Sequence, residues 1–363
     1  MKIFRIFLNS AVLYCSVSIL LVSCHRPGHE DGLLSYFDSV PTVSLRTADI
    51  IELEQFGILS PTKIICQGDL FVIKKTKSEN YVDILTPERT IISCIKKGRG
   101  PGELIDVGSI QVQDDKLFVF GRSQRKLIVV DIPGTVASRK QSILEERIMG
   151  APEMAMSEQI SLPVYLQLYK NHIYSIGMFG DNSLVVELSQ SGDPFSGIPA
   201  PVLEDARIND LAQRILNASA LISISPDGTK IAAAYNQIAA LSFADTQPGL
   251  KQRWANIFFQ PELWFPEDNP GIVVGFSREN ISAFHDLQAF DDIVYALYSG
   301  KNHMKENEDD PSLCNYLLVY DWNGHPIIKY ELEQSISGFC VEGDSLYGVS
   351  QTPNARLFRF GLN

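Results

Sequence analysis

Hydrophobic and polar positions along this 363-residue chain follow one recurring pattern. An alternating apolar stretch meets a polar turn rich in Gly, Asp or Asn, and a second apolar stretch follows. The pattern occupies 64–73, 110–120, 166–176, 221–235, 287–297 and 338–349. Period-two alternation predicts strands, and the turn residues predict tight hairpins. The first apolar residues after the turns are Leu70, Leu117, Ile173, Ile231, Val294 and Leu346, spaced 47, 56, 58, 63 and 52 residues apart. A further strand signal follows each hairpin, at 81–85, 127–132, 183–188, 237–243, 316–322 and 356–360. Strands such as Leu127-Ile128-Val129-Val130 are apolar on both faces, which fits sheets sandwiched between other sheets. Six units of about 55 residues, each a hairpin plus a third strand with room for a fourth, predict an all-β, six-bladed β-propeller. A β-sandwich or two β domains is the alternative, and the regular spacing argues against it. One more strand candidate, 42–45 or 49–54, precedes the first blade. It is expected to complete the last blade and close the ring, which would remove exposed sheet edges.

Turn chemistry supports the same count. In Ser225-Pro226-Asp227-Gly228-Thr229-Lys230-Ile231, Pro presets the turn and Gly supplies a positive φ before the next strand. Together with 293–300, 319–324 and Gly98-Arg99-Gly100-Pro101-Gly102-Glu103, this motif resembles the turns of TolB-like six-bladed propeller lipoproteins of gut-type Gram-negative bacteria. The resemblance runs over essentially the whole chain beyond residue 23. It implies a fold, and no particular chemistry.

The first residues read as an address. Lys2 and Arg5 precede an apolar stretch over 6–21 that Asn9 and Ser10 interrupt, and no acid occurs before Glu30. That is the layout of a secretory signal, too short and broken for a membrane-spanning helix. Its end, Leu21-Val22-Ser23-Cys24, resembles the bacterial lipobox. The resemblance implies cleavage before Cys24 and lipidation of Cys24. By the sorting rules of such lipoproteins, His25 is not an inner-membrane retention signal. An outer-membrane lipid anchor facing the periplasm is the expectation, with the cell surface as alternative on the weak Glu30-Asp31 pair. The organisation is therefore a signal peptide at 1–23, the lipidated Cys and a polar tether at 24–41, and the propeller domain at 42–363.

Composition narrows the function. With 31 basic and 43 acidic residues the net charge is −12, which argues against a nucleic-acid-binding surface. Of the six cysteines, Cys66, Cys94, Cys314 and Cys340 lie beyond the lipobox. An oxidising periplasm permits disulfides, and four Cys allow three pairings. Cys66 and Cys340 sit at similar first-strand positions of the first and last blades, which a closed ring makes neighbours. Buried free thiols are nonetheless the expectation.

In a propeller, the segments joining the last strand of one blade to the first of the next emerge on one face. Here they are 98–109, 138–163, 193–219, 260–283 and 329–337, and most are long enough to suggest a binding face. Short helices are expected near 143–150, ending at Gly150, and within 204–218, where Ile208, Leu211, Ile215 and Leu216 recur at helical spacing. The fourth linker region is aromatic. Trp254, Trp264 and Phe265 could stack on a sugar ring or anchor a protein, or, with Phe258 and Phe259, plug the gap between blades. Arg99 could hold a carboxylate bidentately, or Arg99 and Glu103 could pair within a structural turn.

Catalytic signatures are missing. The glycine-rich run ending in Glu103 lacks the Gly-Lys-Ser/Thr of a phosphate loop, no Gly-x-Ser-x-Gly elbow occurs, and the six His are scattered. No catalytic or metal-binding residues and no cofactor are therefore assigned. The expectation is a non-enzymatic propeller that binds a polypeptide or glycan. The rival is a calcium-dependent lactonase or hydrolase, whose ligands would come from different blades and leave no local motif. Asp106, Asp286 and Glu342 illustrate acids placed for such a channel site.

Overall fold

A computed structural model describes residues 30–150, 161–205, 207–265, 275–277, 280–302 and 310–362. Six antiparallel sheets follow one another along the chain as the blades of a six-bladed β-propeller. Blade 1 runs Pro61–Gln67, Leu70–Lys75, Asn80–Leu85 and Ile91–Lys97, with the short strand Glu103–Leu104 added in parallel at its edge. Blade 2 comprises Ser109–Gln113, Lys116–Gly121, Lys126–Asp131 and Ile143–Ile148. Blade 3 comprises Ser161–Tyr169, His172–Phe179, Ser183–Leu188 and Pro194–Pro199. Blade 4 is built from Ala220–Ile224, Lys230–Tyr235, Ala239–Asp245 and Lys251–Phe259. Blade 5 uses Ile281–Ala289, Ile293–Asn302, Cys314–Asp321 and Pro326–Ile336.

Blade 6 takes three strands from the C-terminus, Gly338–Glu342, Ser345–Ser350 and Arg356–Gly361, and its outer strand from the N-terminus, Thr47–Glu52. Ile50 faces Phe358, and Arg356 pairs with Glu52 at 2.9 Å. Both ends of the chain thus meet in one sheet, leaving the ring no open blade. The other N-terminal strand, Thr42–Leu45, does not join that blade. It lies parallel to Pro326–Ile336 of blade 5, with Val43 opposite Tyr330.

The strands are apolar on both faces because blades pack on blades. Six hydrophobic clusters fill the six interfaces. Blade 4 shows how size is balanced. Its alanines Ala232, Ala234 and Ala239 leave room at the interface with blade 5 for Phe243, Trp254, Tyr320 and Trp322. Large and small side chains alternate there to fill space at the density cores require.

Several local expectations change. The segment expected as a helix near 143–150 is the outer strand of blade 2, pairing Leu127 with Arg147. Open backbone donors along Lys126–Asp131 supply a partner that the helical spacing could not reveal. A helix forms instead at Ile132–Ser138, with Pro133 in its first turn. Within 204–218 the helix spans Asp210–Asn217, where the Asn209 side chain caps the Ala212 N–H at 2.9 Å. Three of the expected linkers begin with an outer strand, Ile143–Ile148, Pro194–Pro199 or Pro326–Ile336, so only Ser337 separates blade 5 from blade 6. Residues 30–41 are not a free polar tether. The helix Glu30–Leu34 and the turn Ser35–Phe37 bury Leu33 and Phe37 against blades 4 and 5, and the Tyr36 hydroxyl donates to the Gly324 carbonyl at 3.0 Å.

Cys66 and Cys340 form a disulfide between the inner strands of blades 1 and 6, with Cα atoms 6.1 Å apart. The all-reduced expectation is overturned, because ring closure brings together two positions 274 residues apart in sequence. Cys94 and Cys314 remain free and buried. Burial, with the Asp83 carboxylate nearby, pushes the Cys94 thiol up to about 12, so it stays a packing group.

Candidate functional site

The inner strands surround a channel with two mouths. Toward the hairpin turns lies a cavity of about 470 Å³ lined by residues of all six blades, among them Gln113, Gln167, Tyr169, Lys170 and Ser225. Two amides of its wall already act as staples. Gln111 of blade 2 exchanges two hydrogen bonds with the Leu168 backbone of blade 3, each at 2.7 Å. Gln288 of blade 5 does the same with Val341 of blade 6, at 2.6 and 3.1 Å. These amides replace the backbone ladder that neighbouring inner strands cannot form, and they hold the channel at fixed width.

The opposite mouth lies near the starts of the inner strands, where the inter-blade segments enter. Its pocket, of about 280 Å³, is lined by Thr62, Lys63, Lys74, Tyr165, Leu221, His285, Asp286, Ser312, Ser337 and Gln351. The inner hairpin of blade 1 places Lys63 directly opposite Lys74. Like charges facing one another across a strand pair are destabilising. Lys63 resolves its side by an ion pair with Asp286 of blade 5. The Asp286 carboxylate also accepts from the backbone N–H groups of Leu287, at 2.9 Å, and Phe339 of blade 6, at 3.1 Å. One buried acid therefore ties blades 1, 5 and 6 together.

The charges respond accordingly. Burial pulls the Lys63 ammonium down, but Asp286 more than offsets this and leaves Lys63 above the ordinary lysine range. Lys74 has no such partner. Burial, then repulsion from Lys63 and Arg122, lowers it to about 8, against the weaker attraction of Asp286 and Asp106. Its ammonium makes no hydrogen bond or ion pair with a described residue. Tyr165 is pushed up by burial. The His285 ring contacts the Ser282 hydroxyl at 2.7 Å and the Asn236 amide.

The residues singled out from sequence do not converge on this pocket. Arg99 is exposed on the turn between blades 1 and 2. Glu103 accepts from the Gly100 N–H at 2.9 Å instead of pairing with Arg99. The turn is then fastened to blade 2 by Lys126, whose ammonium reaches the Gly100 carbonyl at 3.0 Å and Glu146 at 3.3 Å. Trp254 packs on Phe243, ring centroids 5.1 Å apart, in the interface of blades 4 and 5. Phe265 packs on the interface of blades 3 and 4, under the guanidinium of Arg207 at 4.7 Å. Trp264 is 59% exposed. Cys24 lies outside the described residues. Of the illustrative acids, Asp286 reaches the channel, Asp106 accepts from Ser123 and faces Arg122, and Glu342 is exposed.

Lys63 and Lys74 carry a faint signal: they sit symmetrically about the Gly68-Asp69 turn, at the outer ends of the apolar runs 64–66 and 70–73. No group of three or more His, Cys, Asp or Glu side chains arranged to hold a metal occurs among the described residues. Among the same residues no helix is long and apolar enough to cross a membrane.

Residues 204–344, which hold blades 4 and 5 and the inner strand of blade 6, match the family described as TolB-like 6-blade propeller-like. The fold is similar to that of a DUF4221 family member from Bacteroides vulgatus, at 12% identity and TM-score 0.52, covering 87% of this chain and 97% of that one. It is similar also to a protein from Bacteroides fragilis, at 11% identity and TM-score 0.50, covering 90% and 100%. Regucalcin, a calcium-binding protein from Agrobacterium tumefaciens, aligns at 12% identity and TM-score 0.48, covering 89% and 95%. No curated protein matches the chain in sequence.

Proposed function

We propose that this six-bladed propeller is a non-enzymatic binding module that recognises a polypeptide or glycan at the loop-bearing mouth of its channel. We further propose that it is a lipoprotein held at the outer membrane through Cys24 and facing the periplasm. The observation that carries the binding reading is the state of Asp286. This acid of the channel mouth is occupied by Lys63 and by two backbone N–H groups. Calcium needs six to eight oxygen ligands, several of them carboxylates free to coordinate. Among the described lining residues, one committed carboxylate beside two lysines does not fit that demand. What the pocket offers is a rigid rim, hydrogen-bonding groups and a positive charge, which suit recognition.

Calcium tests the choice. A ligand at a hundred times its Kd stabilises a folded protein by about 2.7 kcal/mol. Thermal melts of the mature protein with millimolar calcium should coincide with melts in chelator. A reproducible upward shift of several degrees would overturn the binding-module reading. For the anchor, Cys24→Ala should abolish incorporation of labelled palmitate and release the protein from membranes, since several acyl chains, at about 0.8 kcal/mol per buried CH₂, are what hold it. Continued labelling of that variant would refute lipidation at Cys24.

A further inference from the structure

We infer that the channel-mouth pocket binds a sugar acid, a carboxylate carried on a hydroxylated ring, with Lys74 as the residue that takes the carboxylate. The inference rests on the binding-module reading and narrows it to a ligand class and a residue. Three observations support it. First, the Lys63–Asp286 pair is internally neutral, so Lys74 is the uncompensated charge among the described lining residues. Arg122 and Asp106, which also act on Lys74, pair at 3.5 Å and are neutral together. A net charge of one matches a monoanionic carboxylate better than a dianionic phosphate.

Second, the lysine is kept where it is unfavourable. It faces Lys63 across the hairpin in a partly buried setting, an arrangement that apolar residues at this strand position would avoid. Residues held against local preference cluster where a ligand supplies the missing interaction. A carboxylate would do so by giving Lys74 the counter-charge that Asp286 gives Lys63.

Third, the walls are hydroxylated and amidic. Thr62, Tyr165, Ser312, Ser337 and Gln351 share the lining with the lysine, and Leu221 is the one aliphatic side chain among the described lining residues. The hydroxyls of Thr62, Ser312 and Ser337 donate within the protein and keep lone pairs to accept from a ligand. Ring hydroxyls find partners among such groups. A peptide would bring apolar side chains that find no slot, and a cavity of about 280 Å³ takes a single ring more readily than a chain. The charged and titratable groups facing Lys74 are Lys63, Asp286, Arg122, Asp106, Tyr165 and His285, from blades 1, 2, 3 and 5. Because Lys74 sits near 8 without ligand, the carboxylate should bind its protonated form and weaken as pH rises above that value.

Isothermal titration of the mature full-length protein with sodium glucuronate tests this. The expected Kd at pH 7 is about 1 mM or tighter. Lys74→Met should weaken binding by about tenfold or more, whereas Lys74→Arg should stay within a few-fold because it keeps the charge. In wild type the Kd should rise about tenfold per pH unit well above 8. Glucose should bind at least tenfold more weakly than glucuronate, roughly the cost of losing one charge-assisted contact. Equal binding by wild type and Lys74→Met, or no heat with glucuronate, would overturn the inference. Tighter Lys74-dependent binding of inorganic phosphate or of acetyl-diglycine would overturn it in favour of another anion or of a peptide. Failure of the underlying reading is distinguishable, because it appears as stabilisation by calcium. Failure of this inference alone leaves a protein that neither calcium nor glucuronate affects.

Discussion

Replacing Asp286 by alanine lowers the stability of the folded protein by about 3–5 kcal/mol, the usual cost of stranding one member of a buried ion pair. The carboxylate is 6% exposed and serves three partners in three blades. Its removal leaves the Lys63 ammonium facing Lys74 with no counter-ion, and leaves the Phe339 N–H without an acceptor. Asp286→Asn should fall between wild type and alanine, because an amide oxygen still accepts one N–H but carries no charge. The effect depends on pH with a definite sign. Lys63 is raised above 10.5 by the pair, so the pair's stabilisation is fully present below that value and is lost as pH rises through the raised one. Urea unfolding at neutral pH and near pH 11 should therefore show the difference between wild type and Asp286→Ala shrinking at the alkaline end. A loss under about 1 kcal/mol at neutral pH would mean that water screens the pair as it does at a surface.

Opening the Cys66–Cys340 bond costs about 5–6 kcal/mol on the chain-entropy account, because it closes a loop of 274 residues. The bond joins the first and last inner strands, so it constrains the unfolded chain over almost the whole propeller. Native closure does not depend on it alone, since Thr47–Glu52 also seals blade 6. The Cys66→Ser, Cys340→Ser double variant should therefore fold to the same ring and unfold at lower denaturant. Reductant should shift wild type to the same midpoint and leave the double variant unmoved. Thiol titration of denatured, unreduced protein should find Cys94 and Cys314 reactive, and Cys66 and Cys340 silent. Reaction of all four would show that the bond does not form.

The stretch before the first blade also lies closer to the propeller than the sequence suggests. A polar stretch with Pro27, Gly28, Gly32 and Pro41 reads as a spacer. Yet Leu33 and Phe37, two apolar residues in that stretch, are wholly buried among Ala234, Phe243 and Tyr320. The spacing of two apolar residues carries no mark of the surface that receives them. That surface exists once blades 4 and 5 have packed.

What the sequence by itself determined was the repeat. Period-two alternation and turn residues are local, so six hairpins, their spacing and the all-β class are legible before any partner is known. The turn at Ser225-Pro226-Asp227-Gly228 folds as its chemistry requires, with Gly228 at φ +72°. The tertiary structure alone decided which strand closes which blade, the Ile143–Ile148 edge strand in place of a helix, and the meeting of Cys66 with Cys340. It alone decided the candidate site as well. Lys63, Lys74, Tyr165, Leu221, Asp286 and Gln351 come from five blades and become neighbours only when the ring closes. The reason is range: a strand is specified by neighbours two residues away, but a channel is specified by residues whose contact must wait for every blade between them to fold.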